Sequence, residues 1–211
     1  MKVVAFNGSP RKEGNTFKAL QAVGEELKQA EIDFEIVQVG NQSVRGCIAC
    51  MGCAKKRNER CVIETDEVNE WIQKMKGADG IILGSPVYFA GIAGTMKAFL
   101  DRAFFVTSVN NSMLRNKVAA AAVAVRRSGG VPTFDALNHY IMYSEMLMPT
   151  SNYWNVIHGF KPGEALQDEE GTQIMRVLGK NMAWLLQVLA AGKDQVEPVL
   201  PEAKKLTNFI R

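Results

Sequence analysis

Short apolar runs alternate with amphipathic stretches along most of this 211-residue chain, and few folds accept that alternation. Residues 3–6 form a continuous apolar run, as expected of a strand covered on both faces. Asn15 and Thr16 are placed to cap a helix in which Phe17, Leu20, Val23 and Leu27 recur at helical spacing. Residues 34–39 alternate and read as a second strand, and residues 80–84 read as a third, buried one. Between them Thr65 can cap a helix with Val68, Ile72 and Met75 on one face, and a further helix is expected over 94–105. Residues 117–125 are rich in alanine, and propensity alone favours a helix there. The run is short, it ends at Arg126-Arg127-Ser128-Gly129-Gly130, and it falls where the alternation requires a strand, so it is read as a strand. A helix over 132–143, a strand near 152–157 and a helix over 169–191 complete the series.

The order βαβαβαβαβα implies a parallel sheet with helices on both faces. Five strands point to the flavodoxin-like, doubly wound α/β arrangement, which binds ligands at the carboxyl ends of its strands near the switch point. The expectation is one domain over 1–211, with an irregular, cysteine-rich loop at 41–62 after the second strand. A C-terminal extension from Gly192 would pack on the body or on a partner subunit. A chain of this length can bury a core without disulfides. A net charge of +3 is too small to argue for nucleic acid or a membrane as partner. No apolar run approaches the ~18–20 residues of a membrane span. Residues 1–8 read as a strand entering a glycine turn rather than as a signal peptide, so a cytoplasmic protein is expected.

Residues 8–16 (Gly-Ser-Pro-Arg-Lys-Glu-Gly-Asn-Thr) connect the first strand to the first helix. The spacing is not that of a P-loop, because five residues separate Gly8 from Gly14 and Asn15 stands where lysine should be. The G-x-G-x-x-G dinucleotide fingerprint is absent too, since Ser9 follows Gly8. What remains is Ser9, Arg11, Asn15 and Thr16 at a helix N-terminus, where free N–H groups and the helix dipole favour an anion. From this loop alone, a phosphate site and a plain capped turn are equally supported. A second loop on the same rim, Ser85-Pro86-Val87-Tyr88-Phe89, offers aromatic residues suited to a flat heteroaromatic ring. A third, 126–130, adds glycines, and the convergence of the three favours the ligand site.

These residues, with Leu100-Asp101-Arg102, make the chain resemble the NADPH-dependent FMN reductase superfamily, strongly over roughly residues 1–130 and in topology beyond. The resemblance implies that Ser9, Arg11, Asn15 and Thr16 hold the FMN phosphate. Pro86, Val87, Tyr88 and Phe89 would border the isoalloxazine, and Gly129 and Gly130 would close its other side.

All four cysteines of the chain fall within one short stretch, as Cys47-x2-Cys50-x2-Cys53-x7-Cys61. Such clustering does not suit a disulfide-stapled secreted scaffold. The compact run fits a [4Fe–4S] cluster better than zinc, whose ligands usually come in two separated pairs. A ferredoxin module is excluded, because the last gap is x7 and Val62 rather than proline follows. Arg45, Lys55, Lys56, Arg57 and Arg60 against Glu59 give the segment +4, which would favour a reduced, more negative cluster, although a solvated loop carries such charges as well. A cluster-free set of redox thiols stays open; the spacing favours the cluster.

A cysteine motif of this kind after the second strand of an FMN-binding fold resembles the iron–sulfur flavoproteins of anaerobic microbes. That resemblance implies a [4Fe–4S] cluster on Cys47, Cys50, Cys53 and Cys61 close to the FMN, often across a subunit interface. It also implies a homodimer or homotetramer, to which apolar residues near Phe104, Phe105 and Met113 would contribute. The expected function is electron transfer between FMN and the cluster, with a ferredoxin-like protein, NAD(P)H or a quinone as donor or acceptor. Two alternatives stand beside it, a cluster-free NAD(P)H-dependent FMN or quinone reductase and a redox sensor that uses the cysteine loop as a switch. His139 and His158 show no ligand or triad spacing, and no side chain stands out as an acid–base catalyst.

Overall fold

A computed structural model describes residues 1–207, 209 and 210. It contains β1 (Lys2–Asn7), α1 (Asn15–Gln29), β2 (Asp33–Gln38), the short α2 (Gly52–Lys56), α3 (Val68–Gly77), β3 (Gly80–Tyr88), β4 (Gly91–Ile92), α4 (Gly94–Val109), β5 (Val118–Val125), α5 (Gly130–Tyr143), β6 (Val156–His158) and α6 (Glu169–Gly192). The parallel sheet runs β2-β1-β3-β5-β6, with the two-residue β4 folded back antiparallel on the end of β3. This is the doubly wound order with its switch point between β1 and β3, so the loops after those strands diverge and leave a crevice at their carboxyl ends.

Each face of the sheet has its own core. On one, Leu20, Val23 and Leu27 of α1 meet Ile174, Leu178 and Met182 of α6. A side chain at Gly179 would come within 2.7 Å of the Val23 carbonyl oxygen, which is why these two helices can pack so closely. On the other face, Phe99 of α4 stacks against Phe6 at 5.0 Å and meets Trp71 edge-on at 5.3 Å, with Ile72, Met75 and Leu100 around them.

β5 answers the conflict between propensity and pattern. All eight of its residues are buried, because it lies between β3 and β6 under helices on both sides. Tertiary packing overrides the helical preference of alanine.

The helix starts depart from the sequence reading. Neither Asn15 nor Thr16 caps α1; Gly14 is the N-cap and brings no side-chain bond. Asn15 instead accepts a hydrogen bond from the Ala165 N–H, 3.2 Å away. Thr65 does not cap α3, which begins at Val68 after Glu67, and Asp66 accepts the Val68 N–H. α5 begins at Gly130, two residues before Pro132, which a first helical turn tolerates. β6 is confined to Val156–His158, and just before it Asn155 donates its side-chain N–H to the Ala121 carbonyl.

The C-terminal extension packs on the body. Arg115 donates to the Val199 carbonyl at 2.7 Å, and the Lys204 ammonium lies 3.8 Å from the Tyr143 ring centre. The last part of the expected extension includes Asn208 and Arg211, which lie outside the described residues. No helix among the described residues is long and apolar enough to cross a membrane.

Phe99→Ala should cost about 3–5 kcal/mol in chemical denaturation, because a fully buried ring is removed from between two others. Asp168 caps α6 through Gly171 and accepts the His158 N–H. Burial opposes its ionisation, but these hydrogen bonds and the His158 ring outweigh burial and hold its carboxyl below the ordinary 3.8. Its contribution is therefore full above pH 3.8 and is lost as pH falls through the lowered folded value. Asp168→Asn should flatten the acid arm of the stability curve in that window, as read by denaturant midpoints against pH.

Candidate functional site

The carboxyl ends of β1 and β2 are joined by a polar lock. Asn7, fully buried at the end of β1, donates to the Gln38 side chain at 2.8 Å and accepts the Ser9 N–H at 3.1 Å. Gln38 donates to the Ser9 carbonyl at 2.6 Å, and the Val39 and Gly40 N–H groups both reach the Asn7 carbonyl. Gly40 lies so close to the first loop that an added Cβ would sit 2.2 Å from the Ser9 carbonyl carbon and 2.3 Å from the Gly8 oxygen. The loop after β1 and the start of the cysteine loop thus form one continuous structure.

Ser9, Arg11, Asn15, Thr16, Pro86, Val87 and Tyr88 come together around one cavity of about 200 Å³ at the switch point. Arg126, Gly159 and Phe160 also line it. The Thr16 hydroxyl is buried and finds no hydrogen-bond partner among the described residues, a costly arrangement unless a ligand satisfies it. The first N–H groups of α1 have no intrahelical partners, and no capping side chain serves them. Arg11 donates to the Phe160 carbonyl at 3.3 Å, and the Arg126 guanidinium lies 5.4 Å from the Phe160 ring centre, so two cations flank the opening. An unpartnered hydroxyl, a bare helix N-terminus and two arginines make a fitting set for a phosphate.

Phe89 does not join this cavity. It is fully exposed at the tip of the β3–β4 turn, where Phe89 (φ 47°) and Ala90 (φ 59°) are both left-handed. Such conformations cost about 1–3 kcal/mol each for residues other than glycine. Gly129 packs on this turn: it has φ 90°, and a Cβ there would lie 2.9 Å from both Ala90 Cα and Val87 Cγ1. Gly129 and Gly130 line a neighbouring cavity of about 320 Å³ with Tyr153, Trp154 and His158 rather than the phosphate cavity itself.

Cys47, Cys50, Cys53 and Cys61 all line a single small cavity, together with Ile63, Arg102, Phe105 and Val106. Cys47 and Cys50 are exposed, Cys53 and Cys61 are buried, and all four are free thiols. Burial pushes the Cys53 thiol up, backbone hydrogen bonds pull against this, and the charges of Cys61 and Cys50 push it further up. Among the described residues no three cysteine, histidine or acidic side chains converge on a single metal ion. The cavity between the four thiols measures about 20 Å³, so the site rests on its donor set, four sulfur ligands at the close spacing that multi-iron groups use.

The loop is held by α3 and α4. Asn69 accepts the Cys61 N–H at 2.7 Å and donates to the Cys61 carbonyl at 2.9 Å. Gln73 reaches the Glu59 carbonyl, and Asn110 accepts the Glu59 N–H. Arg102 is the buried cation of the site and pairs with Asp66. Burial opposes its charge, but hydrogen bonds to Asp66 and Cys61 more than compensate and raise its pKa. Ala49, Met51, Arg57 and Glu59 are left-handed, a density of strain that persists only where neighbours over-determine the backbone. Phe104 and Phe105 line an open cavity of about 370 Å³ with Tyr140 and Tyr143, and Met113 is partly buried against the core.

A flavodoxin-like fold with an anion cradle at its switch point and four thiols on one adjoining loop defines a flavin-type redox protein. The model of the NADPH-dependent FMN reductase family matches residues 1–161, and the chain belongs to that family. It is 36% identical to an iron–sulfur flavoprotein of Methanocaldococcus jannaschii over 90% of this chain and 99% of that one. It is 30% identical to an iron–sulfur flavoprotein of Methanosarcina thermophila, covering 92% and 100% of the two chains. An archaeal flavodoxin shares the fold with a TM-score of 0.58 at 17% identity, over 89% of this chain and 99% of that one.

Gly40→Ala tests the continuity of the two loops. The displaced Ser9 backbone should open the lock at Asn7, and amide exchange at Gly8 and Ser9 should speed about tenfold or more, one decade per 1.4 kcal/mol, while the sheet amides stay protected.

Proposed function

We propose that this chain is an iron–sulfur flavoprotein that moves electrons between FMN at the switch-point cavity and a [4Fe–4S] cluster on Cys47, Cys50, Cys53 and Cys61. The observation that carries this reading is the meeting of all four cysteines on one cavity, in a loop that begins against the anion cradle. The names of the two archaeal relatives point the same way.

The Thr16 hydroxyl, the Ser9 side chain and the N–H groups of α1 would hold the phosphate, with Asn15 and Arg11 beside it and Arg126 adding a second cation. Pro86, Val87 and Tyr88 would border the ring, and Gly129, packed on the β3–β4 turn, would close its far side with Gly130 next to it. Flavin exchanges one or two electrons and a cluster exchanges one, so the pair would join two-electron to one-electron chemistry. The protein's part is to position both groups, exclude water from the buried thiols and set the local field. The electron donor or acceptor would be a ferredoxin-like protein, NAD(P)H or a quinone, and the chain would act as a homodimer or homotetramer.

The description of the family itself favours a second reading, a cluster-free NAD(P)H-dependent reductase. Anaerobic purification with flavin, iron and sulfide assays separates the two. The proposal expects about one FMN, four iron and four sulfide per chain. Flavin without iron under these conditions, with rapid bleaching by NADPH, would leave the reductase standing instead. Cys50→Ser should remove the iron and keep the flavin. Arg11→Ala should weaken FMN binding about 10- to 100-fold, the worth of one charge-assisted contact, as read by flavin fluorescence quenching.

A further inference from the structure

We infer that Arg102 is a positioning residue for the cysteine centre: its guanidinium hydrogen-bonds the Cys61 sulfur and eases reduction of a cluster held there, while Asp66 limits that effect. The inference rests on the cluster reading above.

Arg102 projects from α4 and is 1% exposed. Its Nε–H points at Cys61 Sγ, 3.4 Å away. One Nη donates to the Arg45 carbonyl at 3.1 Å and to Asp66, and the other donates to the Ile63 carbonyl at 2.9 Å. Arg45 stands two residues before Cys47 and Ile63 two residues after Cys61, so a single side chain ties both ends of the motif. A neutral thiol is a weak acceptor, whereas a thiolate is a strong one. A buried guanidinium that spends its Nε–H on sulfur is arranged for a negative sulfur.

The other cations of the segment, Arg45, Lys55, Lys56, Arg57 and Arg60, are exposed and screened by water and salt. Arg102 acts from the interior, where a charge is felt more strongly. A cluster gains one negative charge when it takes up one electron. A buried cation and a hydrogen bond to a ligand sulfur favour that reduced form. Asp66 is almost as buried, 6% exposed in its side chain, and its carboxylate offsets part of the Arg102 charge. The pair therefore makes opposite predictions for its two members, which a purely architectural role does not.

The test is a redox titration of the anaerobically purified, flavin- and cluster-loaded protein, with dithionite as the electron source and the reduced cluster read by electron paramagnetic resonance. Compared at one ambient potential, Arg102→Gln should lower the ratio of reduced to oxidised cluster tenfold or more. Arg102→Lys, which keeps the charge and loses the fork, should fall between it and the wild type. Asp66→Asn should raise the ratio severalfold, and Lys56→Gln, on the exposed side, should leave it within twofold. An unchanged ratio in loaded Arg102→Gln, or a fall in Asp66→Asn, would overturn the inference. If Arg102→Gln holds no iron, Asp66→Asn decides alone. If both fail to load while the wild type does, the pair is structural and the inference falls. A wild-type protein without iron sinks the cluster reading itself, and this inference with it.

Discussion

A positive charge sits in the interior of this protein and has to be satisfied. The Arg102 guanidinium, at the middle of α4, is out of reach of water and finds its partners in the cysteine loop and the segment that follows it, Arg45, Cys61, Ile63 and Asp66. Removing such a charge from water costs several kcal/mol before its partners compensate. The loop therefore cannot drift away from α4 without exposing that cost. Asn69 and Gln73 of α3 and Asn110 at the end of α4 add neutral hydrogen bonds to the same segment. Four left-handed residues and a single short helix are held in place by these contacts rather than by regular structure of the loop's own. The result is a set of four thiols gathered around one cavity.

The second organising element is the lock at the end of β1. Asn7 and Gln38 tie the anion loop to the beginning of the cysteine segment, and Gly40 lets the two backbones touch. Two chemically different sites, one made for an anion and one made of sulfur, thus grow from adjacent strand ends of one sheet. That placement follows from the doubly wound order, which opens its crevice where β1 and β3 part.

Much of this was legible in the sequence. Buried runs and helical spacing gave the alternation, and the alternation decided β5 against the preference of alanine. Spacing alone brought out the four cysteines, and the loop after β1 was readable from its glycines, hydroxyls and helix start. What escaped were side chains whose roles depend on distant partners. Asn7 looks like the last residue of an apolar strand, and nothing local says that Gln38 faces it. Arg102 was visible only as part of a family-like triplet; that it turns inward to Cys61 and Asp66 is a matter of packing across 41 and 36 residues of chain. The helix caps misled because Asn15 is drawn to Ala165, and because Asp66 stands where Thr65 was expected to act. Phe89 stands outside the cavity because the left-handed turn carries it out to solvent.

On this reading the cysteine cavity holds a cluster that exchanges electrons with a flavin at the neighbouring strand end. The most direct measurement is anomalous diffraction at the iron edge from crystals of the protein purified and grown without oxygen. One strong iron feature should lie enclosed by Cys47, Cys50, Cys53 and Cys61, with Arg102 against the Cys61 sulfur and flavin phosphate at the start of α1. Flavin in its cradle beside four free thiols and no iron feature, or iron bound anywhere else, would contradict it.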